Sequence, residues 1–246
     1  MDVHDPPLAP HGGGYVTVRV ATYNVRGLRD DRAALARVLT ALRADVVCLQ
    51  EAPRFLLSGA RRRALAATAG LRLATPGRVG GVAVLAGPRA RVLDARLHRL
   101  RVFAGLEVRA LAVAVLDVEG ARLAVGSLHL DLNGSARLHH ASEAAALMER
   151  AAAAHDASVV LAGDVNEQAH QPAWRYLAAR LADCYQAAPE GDGLTFTARR
   201  PAERIDAVFA APGVRVVSCG GARAAPSDLT AASDHLPVVA ELGLRP

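Results

Sequence analysis

The chain has 246 residues, 52% of them hydrophobic, enough to bury a large core and with no sign of disorder beyond the first dozen residues. Its net charge is +5 and every one of its 29 basic residues is arginine, in a sequence rich in alanine and glycine, so the basic balance says little about a polyanionic partner. No apolar run nears the roughly 18 residues of a membrane span, and the opening MDVHDPPLAPHG lacks the basic start and apolar stretch of a secretory signal.

These totals predict a cytoplasmic protein with a flexible arm at 1–14 and a single domain at 15–246. Cys48, Cys184 and Cys219 lie far apart, which predicts free buried thiols rather than a disulfide frame or a paired-cysteine metal site.

The segment YVTVRVATYNV (15–25) alternates and is rich in β-branched residues, so it predicts a strand. Asp30 or Asp31 can cap a helix through residue 43, where Leu35, Val38, Leu39 and Leu42 recur at helical spacing. A short buried strand follows at 44–50, then a helix at 60–70 on which Arg61, Arg62 and Arg63 are expected as a solvated face. Strands are predicted at 80–87, 91–100, 106–118 and 121–130, with Glu119-Gly120 as the hairpin turn between the last two. A helix at 135–153, a strand at 158–163 and a helix at about 172–181 come next. The last third predicts strands at 194–198, 204–210, 214–220 and 236–242. Runs of strands punctuated by helices, without a long linker or a fixed repeat, predict an α+β fold of two packed sheets with helices outside.

The polar residues collect where strands stop. Asn24 closes the first, Gln50-Glu51 the second, and His129 the strand at 121–130. Asp164 and Asn166 follow SVVLAG, Arg204-Ile205-Asp206 enters another strand, and Ser233-Asp234-His235 precedes the last. Each alone is an ordinary turn, edge or solvated residue. Together they supply hard oxygen donors of the kind Mg²⁺ prefers and two histidines for phosphate binding and proton transfer. There is no activated serine or cysteine, no glycine-rich phosphate loop before a helix and no histidine pair at zinc spacing. The chemistry that fits is metal-assisted attack of water on a phosphoester.

The order TYN, LRADVVCLQE, SLHL, GDVN, TF, RIDAVF and SDH, spread over residues 20–242, resembles the endonuclease/exonuclease/phosphatase superfamily. That resemblance implies a DNase I-like four-layered α/β/β/α sandwich, two packed mixed β-sheets flanked by helices. It also implies roles. Glu51 resembles the principal Mg²⁺ ligand (Mn²⁺ as a substitute), with Asn24 supporting metal and phosphate and Asp234 a second carboxylate near the metal. His129 resembles the histidine that touches the scissile phosphate, often described as a general acid. Asp164 resembles the carboxylate that orients or deprotonates the attacking water, and Asn166 the donor that steadies the phosphate oxygens. Asp206 resembles the acid that orients His235, the second histidine.

Lesser matches follow. Glu107 and Arg109 fit a family E-x-R position, where Glu107 would orient His129 and Arg109 face phosphate, or where both form a solvated edge pair. Arg137 opens what is often R-x-x-Q, but His140 stands in the glutamine's place. Trp174 and Tyr176 are expected in the core. LQEAPR and GDVNEQAHQP depart from the abasic-site endonuclease pattern. The resemblance therefore points to the small bacterial metal-dependent hydrolases acting on a small or lipid-derived phosphoester, as a monomer. A DNA or RNA nuclease and a catalytically silent phosphoester-binding module are the alternatives.

Overall fold

The computed structural model describes residues 14–55 and 57–246, so nearly all of the expected arm at 1–14 lies outside the described residues. The alternating Val16–Asn24 forms strand β1. Asp31 caps helix α1 (Arg32–Ala41), its carboxylate accepting from the amides of Ala33 and Ala34. Strand β2 (Val46–Gln50) follows, then α2 (Ser58–Thr68), β3 (Arg72–Leu73) and β4 (Ala83–Ala86). Strands β5 (Ala90–Arg99), β6 (Ala110–Val118) and β7 (Ala121–His129) form a meander. Its β6–β7 turn is Glu119-Gly120, both at positive φ as a two-residue hairpin requires.

Helix α3 (Gly134–His155), capped by Asn133, leads to β8 (Ser158–Asp164) and α4 (Pro172–Ala178). Short pieces β9 (Ala182–Asp183), α5 (Cys184–Ala187) and β10 (Pro189–Glu190) precede β11 (Asp206–Ala210), β12 (Arg215–Gly221), α6 (Pro226–Ala232) and β13 (Val238–Leu244).

The strands make two mixed sheets, ordered β10-β12-β13-β1-β2-β4-β3 and β5-β6-β7-β8-β11-β9. Parallel pairs sit among antiparallel neighbours: β1 with β2 and the short β10 with β12 in the first sheet, and β7 with β8 in the second. Strand alternation sorts the core into three layers. Val18, Val20, Val46 and Cys48 meet Val125, Val160 and Val208 between the sheets. Tyr23 and Leu49 face α1 outside the first sheet, while Leu111, Leu161 and Phe209 face Met148 of α3 and Trp174 of α4 outside the second. The fold is a four-layered α/β/β/α sandwich. Trp174 is buried with its ring edge-on to Phe209, and all three cysteines are free and buried. No helix among the described residues is long and apolar enough to cross a membrane.

Four expectations need correction. Residues 194–198 form no strand; Phe196 makes isolated bridges to Glu203 and His235, because the segment spends its backbone bonds on two loops. Residues 79–81 are a 3₁₀ turn, with Gly80 and Gly81 at positive φ, so the strand starts at Ala83. Strand β6 likewise starts at Ala110 rather than 106.

Arg62 is fully buried rather than solvated. Its guanidinium donates to the carbonyls of Ala52, Pro53, Gly77, Arg78 and Val82 at 2.7 to 3.5 Å. Burial without a carboxylate lowers its pKa to about 10.

Candidate active site

The strands that hold the polar residues end at the same edge of the two sheets. Asn24 ends β1, Glu51 follows β2, His129 ends β7, Asp164 ends β8 and Asp206 begins β11. The parallel pairing of β7 with β8 sets His129 beside Asp164, and the antiparallel pairing of β8 with β11 sets Asp164 opposite Asp206. Two polar bridges tie the sheets together there. Thr22 donates to Gln50, which donates to Ser127 of β7, all fully buried. Asn24 Nδ2 reaches Asp164 Oδ2 at 3.0 Å and Glu51 Oε1 at 3.2 Å.

Gly163 has its place through close approach rather than through a turn. A Cβ there would collide with the carbonyl of Leu128 on β7. The chain bends at Asn166, whose φ of 53° lies in the left-handed region, so this residue is not extended. Its amide nitrogen donates to the Leu130 carbonyl at 2.9 Å, and its backbone N–H to Asp164 Oδ1 at 3.0 Å.

Asp164 is the centre of the arrangement. Its Oδ2 lies 3.0 Å from Asn24 Nδ2, 3.4 Å from His129 Nε2 and 3.8 Å from His235 Nε2. On the far side of the ring, His235 Nδ1 bonds Asp206 Oδ2 at 2.9 Å. The Ser233 hydroxyl accepts from the His235 amide and donates to the Asn24 carbonyl, and Phe196 packs against the imidazole at 4.8 Å between centroids.

The two histidines are driven in opposite directions. Burial works against charge on His235, but bonded Asp206, with Asp164 and Asp234 nearby, overrides it and raises the pKa to about 9. Burial lowers His129 to about 4, and the charges of Arg109 and His235 add to that against the pull of Asp164. Burial also holds the Asp164 carboxyl above its ordinary range, with the charge of Asp206 adding to it.

These groups form the floor of a cavity of about 470 Å³ whose lining also includes Glu51, Asp234, Arg109 and Asn166. Arg109 is buried between carboxylates, 3.4 Å from Asp131 and 3.8 Å from Glu107. Glu107 pairs with Arg54 at 3.1 Å and makes no hydrogen bond to His129. Arg137 pairs with the buried Glu167 at 2.7 Å and donates to the carbonyls of Asp131 and Leu132, so it joins the loops after His129 and Asn166. Glu167 also accepts from two amides that open α4. His140 instead bonds the Arg101 carbonyl.

Two acidic settings could take a cation. Asp164, Asp206 and His235 can each bring a ligand atom within 4.8 Å of the others, but the imidazole there is committed to Asp206 and prefers its proton. Glu51 is half-exposed at the cavity wall, turned inward by a φ of 48°, and its carboxylate accepts one hydrogen bond among the described residues, from Asn24. Asp234 lines the same wall but is paired with Arg26 at 3.1 Å. The free oxygens of Glu51 beside an amide and further carboxylates fit a hard divalent cation.

Reading the sequence alone overlooks Arg26, Arg54, Phe55, Leu132 and Glu167, which lie in the loops between the motifs. A carboxylate one residue past GDVN was the available signal for Glu167.

The Endonuclease/Exonuclease/phosphatase family matches residues 21–235. No protein of curated function matches in sequence. Among solved structures, a protein of that family from Bacteroides vulgatus superposes with a TM-score of 0.76 at 21% identity, over 94% of this chain and 100% of the other. One from Beutenbergia cavernae gives 0.68 at 26% identity, over 93% and 72%. The mannosyl-6-phosphatase of Bacteroides thetaiotaomicron gives 0.76 at 17% identity, over 92% and 99%.

Proposed function

The chain belongs to the endonuclease/exonuclease/phosphatase family, whose members are hydrolases of phosphoesters, and on that premise we propose that it is a metal-dependent phosphodiesterase or phosphatase. The observation that carries the reading is Asp164: a buried carboxylate within 3.8 Å of Asn24, His129 and His235, on the floor of an open cavity.

Asp164, held above the ordinary carboxylate range, is the base that takes a proton from the attacking water. His235, kept cationic by Asp206, faces the phosphate oxygens through Nε2 and returns a proton to the departing alkoxide as the P–O bond breaks. His129, neutral near pH 7, serves as a hydrogen-bond partner of the phosphate rather than as its acid. Asn24 holds the carboxylates of Glu51 and Asp164 in register, and the second amide hydrogen of Asn166 is directed to a phosphate oxygen. A divalent cation, Mg²⁺ or Mn²⁺, held by Glu51 with Asn24 and Asp234 beside it, would supply positive charge to the phosphate oxygens.

A small or lipid-derived ester is the preferred substrate. A second reading, cleavage of DNA or RNA, draws on the exposed Arg29 and Arg61 at the cavity mouth, which can hold a phosphate backbone.

A phosphoester panel that includes nucleic acids, run with Mg²⁺ and Mn²⁺ and then with EDTA, tests both. Turnover that EDTA and Glu51→Gln each abolish is expected. Inertness of the wild-type protein toward every ester with both metals sinks the proposal, and salt-sensitive plasmid nicking in place of small-ester turnover selects the nuclease.

A further inference from the structure

A shallow groove of about 300 Å³ continues from the mouth of the catalytic cavity. The two share Arg54, Phe55, Gly80 and Glu107. Beyond them the groove is walled by Val79 and Val108 and bordered by Arg78 and Arg99. Its character is unlike that of the cavity. The single acid at the junction, Glu107, is neutralised by Arg54 at 3.1 Å and Arg109 at 3.8 Å. No other side chain lining the groove offers a hydrogen-bond acceptor.

Phe55, the aromatic residue among those common to both spaces, is 76% exposed, and Leu132 on the cavity lining is 77% exposed. Large apolar side chains this open, set at the mouth of a cavity with a polar floor, favour a ligand that covers them. A sugar would find one side-chain acceptor in such a groove, Glu107, already shared by two arginines, and a nucleobase would find one aromatic face with only arginine donors at its edge. A hydrocarbon chain needs neither.

We propose that one ester substituent of the substrate is a hydrocarbon chain, lying along Phe55, Val79 and Val108 while the phosphate sits over Asp164 and His235. This deepens the reading of the site as a phosphoesterase and rests on it. Arg78 and Arg99, which border the groove, can meet anionic neighbours of such a chain.

The test is a series of alkyl 4-nitrophenyl phosphates from methyl to octyl, at concentrations where all are monomeric. Each methylene half-covered by the groove is expected to raise kcat/KM about twofold, or about a hundredfold from methyl to octyl. Val108→Asp and Phe55→Ser should each cut the octyl-to-methyl ratio at least tenfold. The ratio is internal, so a partly folded preparation does not mimic the result. A flat series on wild-type protein overturns the proposal, and so does a wild-type ratio that both variants retain.

If no ester turns over, thermal shift of Asp164→Asn with octyl phosphate against inorganic phosphate decides separately. A chain-dependent shift keeps the groove while the hydrolase reading falls, and equal shifts remove both. A dodecyl ester offered in phosphatidylcholine vesicles and below its aggregation concentration identifies the source. Turnover confined to vesicles marks a bilayer lipid, and equal turnover marks a soluble amphiphile.

Discussion

The floor and the mouth of the cavity are built on different terms. On the floor and directly beneath it, Asp164, His129, His235 and the Asp206 behind that ring are all less than a tenth exposed, and three of the four have their positions fixed by strand pairing. At the mouth, Arg29, Phe55 and Leu132 stand open to solvent on loops and Arg61 on the first turn of α2. Burial and neighbouring carboxylates shift proton affinities on the floor, while at the mouth water screens charge and the available free energy is that of covering apolar surface. Rigid, desolvated groups suit a reaction common to many esters, and open loops suit choosing among them.

Breaking the floor should have the largest effect. Asp164→Asn keeps the shape and removes the base, and kcat is expected to fall by about 10³-fold. Initial rates on the best ester of the panel, with circular dichroism to confirm folding, check this.

Asp206→Asn is next. Without that carboxylate, burial of His235 is opposed by Asp164 and Asp234 only, so the alkaline limb of the kcat profile should move from near pH 9 down toward the ordinary 6.5. At pH 8 the loss should be at least about tenfold, read from a pH–rate profile.

The same pair shapes stability, with a definite sign. His235 keeps its proton to about pH 9 in the folded chain and to its ordinary 6.5 when unfolded. Its contribution is therefore complete below pH 6.5 and is lost as pH rises through 9. His129, lowered to about 4, contributes above pH 6.5 and loses that contribution as pH falls through 4. Urea midpoints across pH 4 to 10 should show both slopes, and Asp206→Asn should erase the alkaline one.

Arg62→Met would strike the support beneath the mouth. Five carbonyls lose a donor, and unfolding free energy is expected to fall by about 2–4 kcal/mol, measured by urea titration. Phe55→Ser should be the mildest, within about 0.5 kcal/mol of wild type by the same titration, because an open side chain supports little of the fold.

Most of the sandwich was legible because strand alternation and helical spacing are local signals: the stretches behind β1, α1, β6, β7 and α3 announce themselves in the sequence. The polar residues that gather on the floor share one trait, a position at a strand end, which a linear reading can see. The mouth has no such trait. Phe55 and Leu132 read as ordinary apolar residues, and only the folded loops show that neither is covered. Arg62 illustrates the converse. In an RRR run it looks like solvated surface, and nothing local tells that the middle arginine points inward to carbonyls contributed by two separate loops. Helix α6 is seven residues long like α4, but PSDLTAA offers Leu229 as its one large apolar residue, where α4 sets Trp174 and Leu177 three apart.

That guanidinium has a kinetic consequence. The loop after Glu51 and the 3₁₀ turn at Val79–Gly81 hang from a single side chain, and the Ala52 amide is bonded to the Gly81 carbonyl as well. Neither can swing out alone, so the two should exchange their amide hydrogens as one cooperative unit. The distance from the reacting phosphorus to the walls beyond Phe55 is then fixed, and any selectivity along that line works as a rigid ruler.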